Sequence, residues 1–443
     1  MNIKLSEHFG YKKLLRFTLP SIIMMVFTSI YCVVDGFFVS NYAGKTQFAA
    51  VNLIMPFLMI FGAVGFMIGT GGSALVSMKL GQKKPEKANE IFSLLIYGLI
   101  AVGLVFTVVG IAAMRPVAHK LGATADMLDY CVTYGRIIMV ALVPFMLQNV
   151  FQSFLVTAEK PQLGLYITIS AGVTNMVLDW LFLAVFQMGI AGAALATAIS
   201  QFIGGVIPLI YFILPNKSPL RLGRTHFDGK AILKACTNGS SEFMTNVSMS
   251  VVNMLYNFQL IKLAGQNGVS AYGVIMYVNM FFVAIYLGYS IGSAPIVAFH
   301  YGAENTDELK GLLKKSLRII FTAALFITVL AQILAPVLSS IFVGYDKELY
   351  ELTEHGFRIY AISFMLAGFN IYASSFFTAL NNGLISALIS FGRTLVFQIL
   401  SVLILPIFFD INGIWSSIVV AEVLALVLSA VCLIKSRKKY RYA

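Results

Sequence analysis

Charge is what this 443-residue chain has least of: Asp, Glu, Lys and Arg together make up 11% of it. Soluble domains carry about 25%. A water-exposed globular surface is therefore excluded, and 59% hydrophobic content points to a chain that crosses the bilayer many times. Cysteine is nearly absent. Cys32, Cys131, Cys236 and Cys432 lie singly in or beside apolar runs. They show no CxxC or metal-ligand spacing, which excludes a zinc ribbon and leaves small packing residues. The five histidines, His300 among them, fall near helix ends or loops and form no ligand cluster. Neither a metal centre nor a nucleophile–base pair is visible, so no enzyme is expected. The glycine cluster GTGGS at 69–73 lacks the GK[ST] ending of a phosphate loop. It reads as a close-packing face of a membrane helix. No soluble segment interleaves basic and aromatic residues, so the net charge of +12 does not indicate nucleic acid. The N-terminus does not fit a removable leader either, because its first apolar run is too long and no small-residue cleavage site follows.

Long apolar runs are what the chain does have. Twelve can be counted, at 14–40, 48–78, 91–113, 132–156, 162–186, 190–214, 235–262, 269–299, 316–341, 357–380, 384–409 and 413–434. A bilayer core of about 30 Å needs roughly 20 helical residues, and these runs supply them. With the N-terminus inside, the inner segments hold 23 Lys and Arg and the outer ones 5 (Lys45, Arg115, Lys120, Lys262 and Lys347). The positive-inside rule then puts both termini in the cytoplasm.

The chain also repeats itself. SALVSMKLGQ (73–82) resembles APIVAFHYGA (294–303), FQSFLVTA (151–158) resembles YASSFFTA (372–379), and Gly44 matches Gly265, all at an offset of 221. MGIAG (188–192) resembles NGIWS (412–416) at an offset of 224. Each unit holds an even number of spans, so the two units run in parallel, with a site expected at their interface. The expected fold is an all-α membrane protein of twelve transmembrane helices in two parallel six-helix repeats. Its lobes cover 1–214 and 235–443, joined by a cytoplasmic linker over 215–234.

Of 19 acidic residues, four fall well inside predicted spans: Asp35, Asp179, Glu242 and Glu422. A carboxylate there costs roughly 2.5–3.5 kcal/mol on insertion scales and faces a bundle interior or a watery cavity. Asn175 and Asp179 are four apart and share a helix face. At 1.5 Å per residue Asp35 lies roughly 8 Å, and Asp179 and Thr197 roughly 12 Å, from the outer ends of their spans. Two carboxylates, an amide and a hydroxyl thus gather at one depth. Hard cations such as Na⁺ take oxygen ligands of this type, and two carboxylates held together out of water also retain a proton readily. The repeat counterpart of Asp35 is Tyr256, and those of Asn175 and Asp179 are about Ile399 and Leu403. The acids are therefore not needed for the helical framework. Tyr31 lies one turn before Asp35, and Tyr134, Asn149 and Gln152 give the fourth span a polar side. Glu242 and Glu422 either attract a cationic substrate or neutralise an arginine, with Arg136, Arg358 and Arg393 as candidate partners.

These residues resemble a known family. P-x₁₄-D in the first span (Pro20, Asp35), N-x₃-D in the fifth (Asn175, Asp179) and GAALATA leading to Thr197 in the sixth are similar to the multidrug and toxic compound extrusion (MATE) family. VVDGFFVS and TNMVLD…GIAGAALATAIS point to its bacterial and archaeal DinF-like, MepA-like branch, which implies the cytoplasmic (inner) membrane of a prokaryote. The resemblance implies an antiporter that expels small organic cations in exchange for H⁺ or Na⁺ by alternating access, with no resident cofactor and no obligate protein partner. It implies Asp35 as the principal coupling residue, with Asn175, Asp179 and Thr197 as its proton partners or its fellow Na⁺ ligands. Pro20 would mark a helix bend, and Asp35, Tyr31, Tyr134, Asn149 and Gln152 would line the substrate cavity. The second-half acid of the sodium-coupled NorM-like branch has no equivalent, since the tenth span offers Asn370. Two other functions were open to this composition. A lipid-linked precursor flippase would need a basic cavity for pyrophosphate, and the predicted helix interiors hold little Arg or Lys. A membrane-embedded enzyme would need a nucleophile–base pair or a His cluster at one depth.

Overall fold

A computed structural model describes residues 3–442. The apolar runs form helices and no strand occurs among the described residues, because a segment in hydrocarbon must satisfy its backbone polar groups within itself. The first helices are α1 (Tyr11–Ala43), α2 (Lys45–Gly81) and α3 (Pro85–Lys120). α4 is built from Ala125–Val140 and Leu142–Thr157, bent by 57°. α5 (Pro161–Val185) and α6 (Gly189–Ile213) complete the first lobe. The helical stretch Gly229–Gly302 that follows has 74 residues. At 1.5 Å per residue that is about 110 Å, several times a bilayer core. It is in fact two helices folded back at Gly265, whose φ is 58° and ψ −145°; these are α7 (229–264) and α8 (266–302). α9 follows (Thr306–Val343), then α10, built from Lys347–Ala361 and Phe364–Ala379 with a 47° bend. The 58 residues Gly383–Tyr440 are likewise folded at Asp410 (φ 46°, ψ −131°) into α11 (383–409) and α12 (411–440). The result is a twelve-helix membrane protein with both termini at one end of the bundle, called here the terminal face.

The repeat is visible in the corners. Gly44 and Gly265, Lys83 and Glu304, Glu159 and Asn381, and Gln187 and Asp410 are all residues with positive φ. They pair across the two lobes at offsets of 221, 221, 222 and 223 residues. The helix ends themselves extend past the apolar runs, because charged residues such as Lys79 and Lys435 continue the helix into the polar interface.

The lobes meet in the terminal half of the bundle through glycines. A methyl group at Gly81 of α2 would overlap the Phe299 carbonyl of α8, and one at Gly302 of α8 would overlap the Met78 carbonyl of α2. Gly71 of α2 and Gly239 of α7 face each other in the same way, and Gly292 of α8 packs on Thr18 of α1. Small residues let backbones approach where the lipid itself offers no hydrophobic contrast. Below this seam the segment before α1 straps the lobes together. Leu5 N–H donates to Glu159 Oε1 (2.8 Å) in the first lobe, and Phe9 N–H donates to Glu308 Oε1 (2.9 Å) in the second. Leu5 and Phe9 are buried beneath it.

Candidate functional site

Asp35 lies eight residues before the end of α1, Asp179 six before the end of α5, and Thr197 eight after the start of α6. These positions are about 12, 9 and 12 Å from the face opposite the termini. The side chain of Asp35 faces Asp179, Asn175 and Thr197. Tyr134, 1% exposed, adjoins both carboxylates and Thr197 from α4. Gly172 makes the approach possible: a methyl there would come within 2.6 Å of the Phe27 ring and 2.8 Å of the Tyr31 ring. Both rings belong to α1, so the absent side chain lets α1 lie close on α5. Tyr31 is packed in that seam and adjoins Asp35.

Local helix geometry aims the acids. Asp179 is the last α-helical residue of α5, and Trp180–Val185 continues as a π-helix. α1 ends in a π-helical stretch, Val39–Ala43, four residues past Asp35. Such wider turns are frequent at functional sites.

Asp179 and Asn175 are buried, at 0% and 2% exposure, and Asp35 and Thr197 are half-buried. Yet Asp35 Oδ1, both Asp179 oxygens, both polar atoms of Asn175 and Thr197 Oγ1 are shielded from solvent and have no hydrogen-bond partner among the described residues. A buried polar atom without a partner calls for a specific explanation. Here five oxygens from four residues converge, and no Lys or Arg pairs with either carboxylate among the described residues. The donor set fits a hard cation, which takes oxygen ligands, and equally fits a proton shared between the acids.

The MatE family model matches residues 20–181 and, a second time, residues 243–404. The chain belongs to the MatE family. Multidrug export protein MepA of Staphylococcus haemolyticus (strain JCSC1435) is 25% identical to it over 427 residues, covering 94% of this chain and 91% of that one. MepA of Staphylococcus saprophyticus is 21% identical over 427 residues, with 94% and 92% covered. In fold it is similar to a solved multidrug resistance MATE family transporter in an outward-facing conformation. The TM-score is 0.93 at 21% identity, covering 99% of this chain and 98% of that one. The two matches of the family model start 223 residues apart, in step with the paired corners.

In this MATE chain the other expected residues fall elsewhere. Asn149 lies between α4 and α2, and its amide donates to the Gly62 carbonyl at 3.3 Å. Gln152 lies deeper, beside Gln148, Thr168 and Met24 in a narrow internal gap. Pro20 is buried inside a continuous α1. Two further polar residues lie nearby that no motif marks: Gln148, which adjoins Tyr31, and Gln201, buried with Oε1 unpartnered among the described residues. Each sits four residues from one already singled out, Gln152 and Thr197, and that spacing was the available signal.

The second lobe of the MATE chain resolves the two remaining acids differently. Arg393, in the π-helical stretch Gly392–Val396 of α11, donates through Nε to Glu422 Oε1 at 2.7 Å and Oε2 at 3.0 Å. Asn370 Nδ2 donates to Glu422 Oε2 at 2.7 Å, and Ser429 Oγ donates to Asn370 Oδ1 at 3.1 Å. Glu422 thus neutralises an arginine, and that arginine is no longer free to bind pyrophosphate. Glu242 is half-buried in the region of Arg393 and makes no ion pair among the described residues. Tyr256, the counterpart of Asp35, is 2% exposed and stacks on Tyr272 at 4.9 Å between centroids.

Proposed function

We propose that the protein is an antiporter that exports small organic cations from a prokaryotic cell in exchange for H⁺ or Na⁺, with both termini in the cytoplasm. The observation that carries this reading is the pair Asp35 and Asp179, the first half-buried and the second fully buried, side by side with unpartnered oxygens and no counter-charge among the described residues. While both are ionised, the first lobe holds negative charge out of water and attracts either a cationic substrate or the coupling ion. At 4 Å and an effective dielectric of 20, one unit charge is worth about 4 kcal/mol to another, or roughly a thousandfold in affinity. Discharging one carboxylate is therefore enough to release a bound cation. A proton would sit on the Asp35–Asp179 pair. Na⁺ would be held by Asp35, Asn175, Asp179 and Thr197. The glycine seam closes the terminal face, and rocking of the lobes about it would expose the site to each side in turn. The multidrug export named for the staphylococcal relatives supports the substrate class.

Ethidium transport in proteoliposomes, with proton and sodium gradients imposed separately, tests the reading. The wild type should respond to one gradient, and Asp35→Asn should lose that response. Full gradient-driven transport by Asp35→Asn would overturn it.

A further inference from the structure

A cavity of about 250 Å³ opens at the foot of α1 and α5, near the terminal face and far from the buried acids. Drug-sized ligands occupy sites of about 300–1,000 Å³, so the space suits a smaller group. Its wall includes Arg16, Glu159, Lys160, Gln162 and Tyr166, and Ile3 of the strap forms part of its rim. No hydrogen bond or ion pair within the protein engages the guanidinium of Arg16 or the ammonium of Lys160 among the described residues. Gln162 and Tyr166 are exposed, Tyr166 at 64%.

Two cations and one carboxylate therefore share a small opening at the polar edge of the membrane. Glu159 Oε1 accepts from Leu5 N–H, and Oε2 has no partner among the described residues. Burial pushes the Glu159 carboxyl up, a tendency that a nearby ammonium group would oppose.

Above the cavity the helix faces are apolar and exposed. Leu19, Ile23 and Ile30 continue the face of Arg16 on α1, and Val173, Val177 and Trp180 continue that of Tyr166 on α5. The repeat of three, four or seven residues puts each set on one stripe.

We propose that this cavity binds the headgroup of phosphatidylethanolamine, its phosphate on Arg16 and Lys160 and its ammonium on Glu159, with the acyl chains lying along the α1–α5 groove. Basic pockets between membrane helices bind lipid phosphates, and the carboxylate adds the selection. Phosphatidylcholine carries no N–H to give Glu159, and phosphatidylglycerol carries no positive charge.

Native mass spectrometry of the full chain, exposed to equal amounts of the three lipids, tests this. The wild type should retain phosphatidylethanolamine in preference to the other two. Arg16→Gln with Lys160→Gln should cut its retention by about thirtyfold, since each basic residue near lipid phosphate contributes about 1 kcal/mol and every ~1.4 kcal/mol is tenfold. Glu159→Gln keeps an acceptor oxygen for Leu5 and should level phosphatidylethanolamine with phosphatidylglycerol. Should the double variant fail to fold, as judged by size-exclusion chromatography, Glu159→Gln alone decides. Equal retention of the three lipids by the wild type overturns the proposal. So do undiminished retention in a folded double variant and an unchanged preference in Glu159→Gln. Displacement of the lipid by inorganic phosphate also overturns it, and would mark a free-phosphate site instead.

Discussion

Asp179 and Glu422 are both fully buried, and among the described residues only Glu422 has a counter-charge. Carboxylates buried alone cost stability, whereas breaking a buried ion pair costs about 3–5 kcal/mol because it strands the partner. The two residues should therefore answer substitution in opposite ways. Glu422→Gln leaves the Arg393 guanidinium, its side chain 14% exposed, without its counter-ion, and the melting temperature should fall by several degrees. Asp179→Asn removes a charge that no described residue neutralises, and the melting temperature should hold or rise while transport is lost. Thermal melts of the two variants in one detergent check this. A large loss of stability in Asp179→Asn would mean that the first-lobe acids serve the fold. The depth shared by Asp35, Asp179 and Thr197 was legible by counting along each span. The pairing of Glu422 with Arg393 was not, because three arginines were available and the sequence does not say which helices touch.

At the scale of the element, hydropathy marked all twelve helices but not their internal breaks. The bends in α4 and α10 and the π-helical stretches in α1, α5 and α11 leave no mark in hydropathy, since the same apolar residues occupy either geometry. The corners were partly legible: Gly44 and Gly265, which the sequence matches across the repeat, stand at two turns whose positive φ favours glycine. Asp410 breaks that pattern. It holds φ 46° and ψ −131°, a region costing a non-glycine residue on the order of 1–3 kcal/mol. Asp410→Gly should relieve this strain, and after glycine's added chain entropy of roughly 0.5–1 kcal/mol a gain of about 1 kcal/mol should remain. Gly265→Ala should lose a comparable amount although no atom lies within 4 Å of the added methyl. Melting both variants beside the wild type reads the two signs.

For the whole molecule, function depends on a contact that must form and break. α2 and α8 are counterparts in the repeat, and they cross where Gly81 and Gly302 meet each other's helix backbone. The neighbouring contacts of Gly71 with Gly239 and of Gly292 with Thr18 obey the same approximate two-fold relation, so one rotation engages all of them together. A side chain at Gly81 has only backbone to displace, and backbone in a packed helix does not yield. Gly81→Val should therefore hold the terminal face apart and reduce transport about tenfold or more, while the buried acids of the first lobe stay intact. Gly98→Val supplies the control, because α3 leaves nothing within 4 Å of a methyl there. Spin labels on the terminal ends of α2 and α8 would report the separation directly, with a longer distance in Gly81→Val and the wild-type distance in Gly98→Val. Were Gly81→Val to transport normally at an unchanged distance, the seam would be ordinary packing, and the lobes would have to move about some other contact.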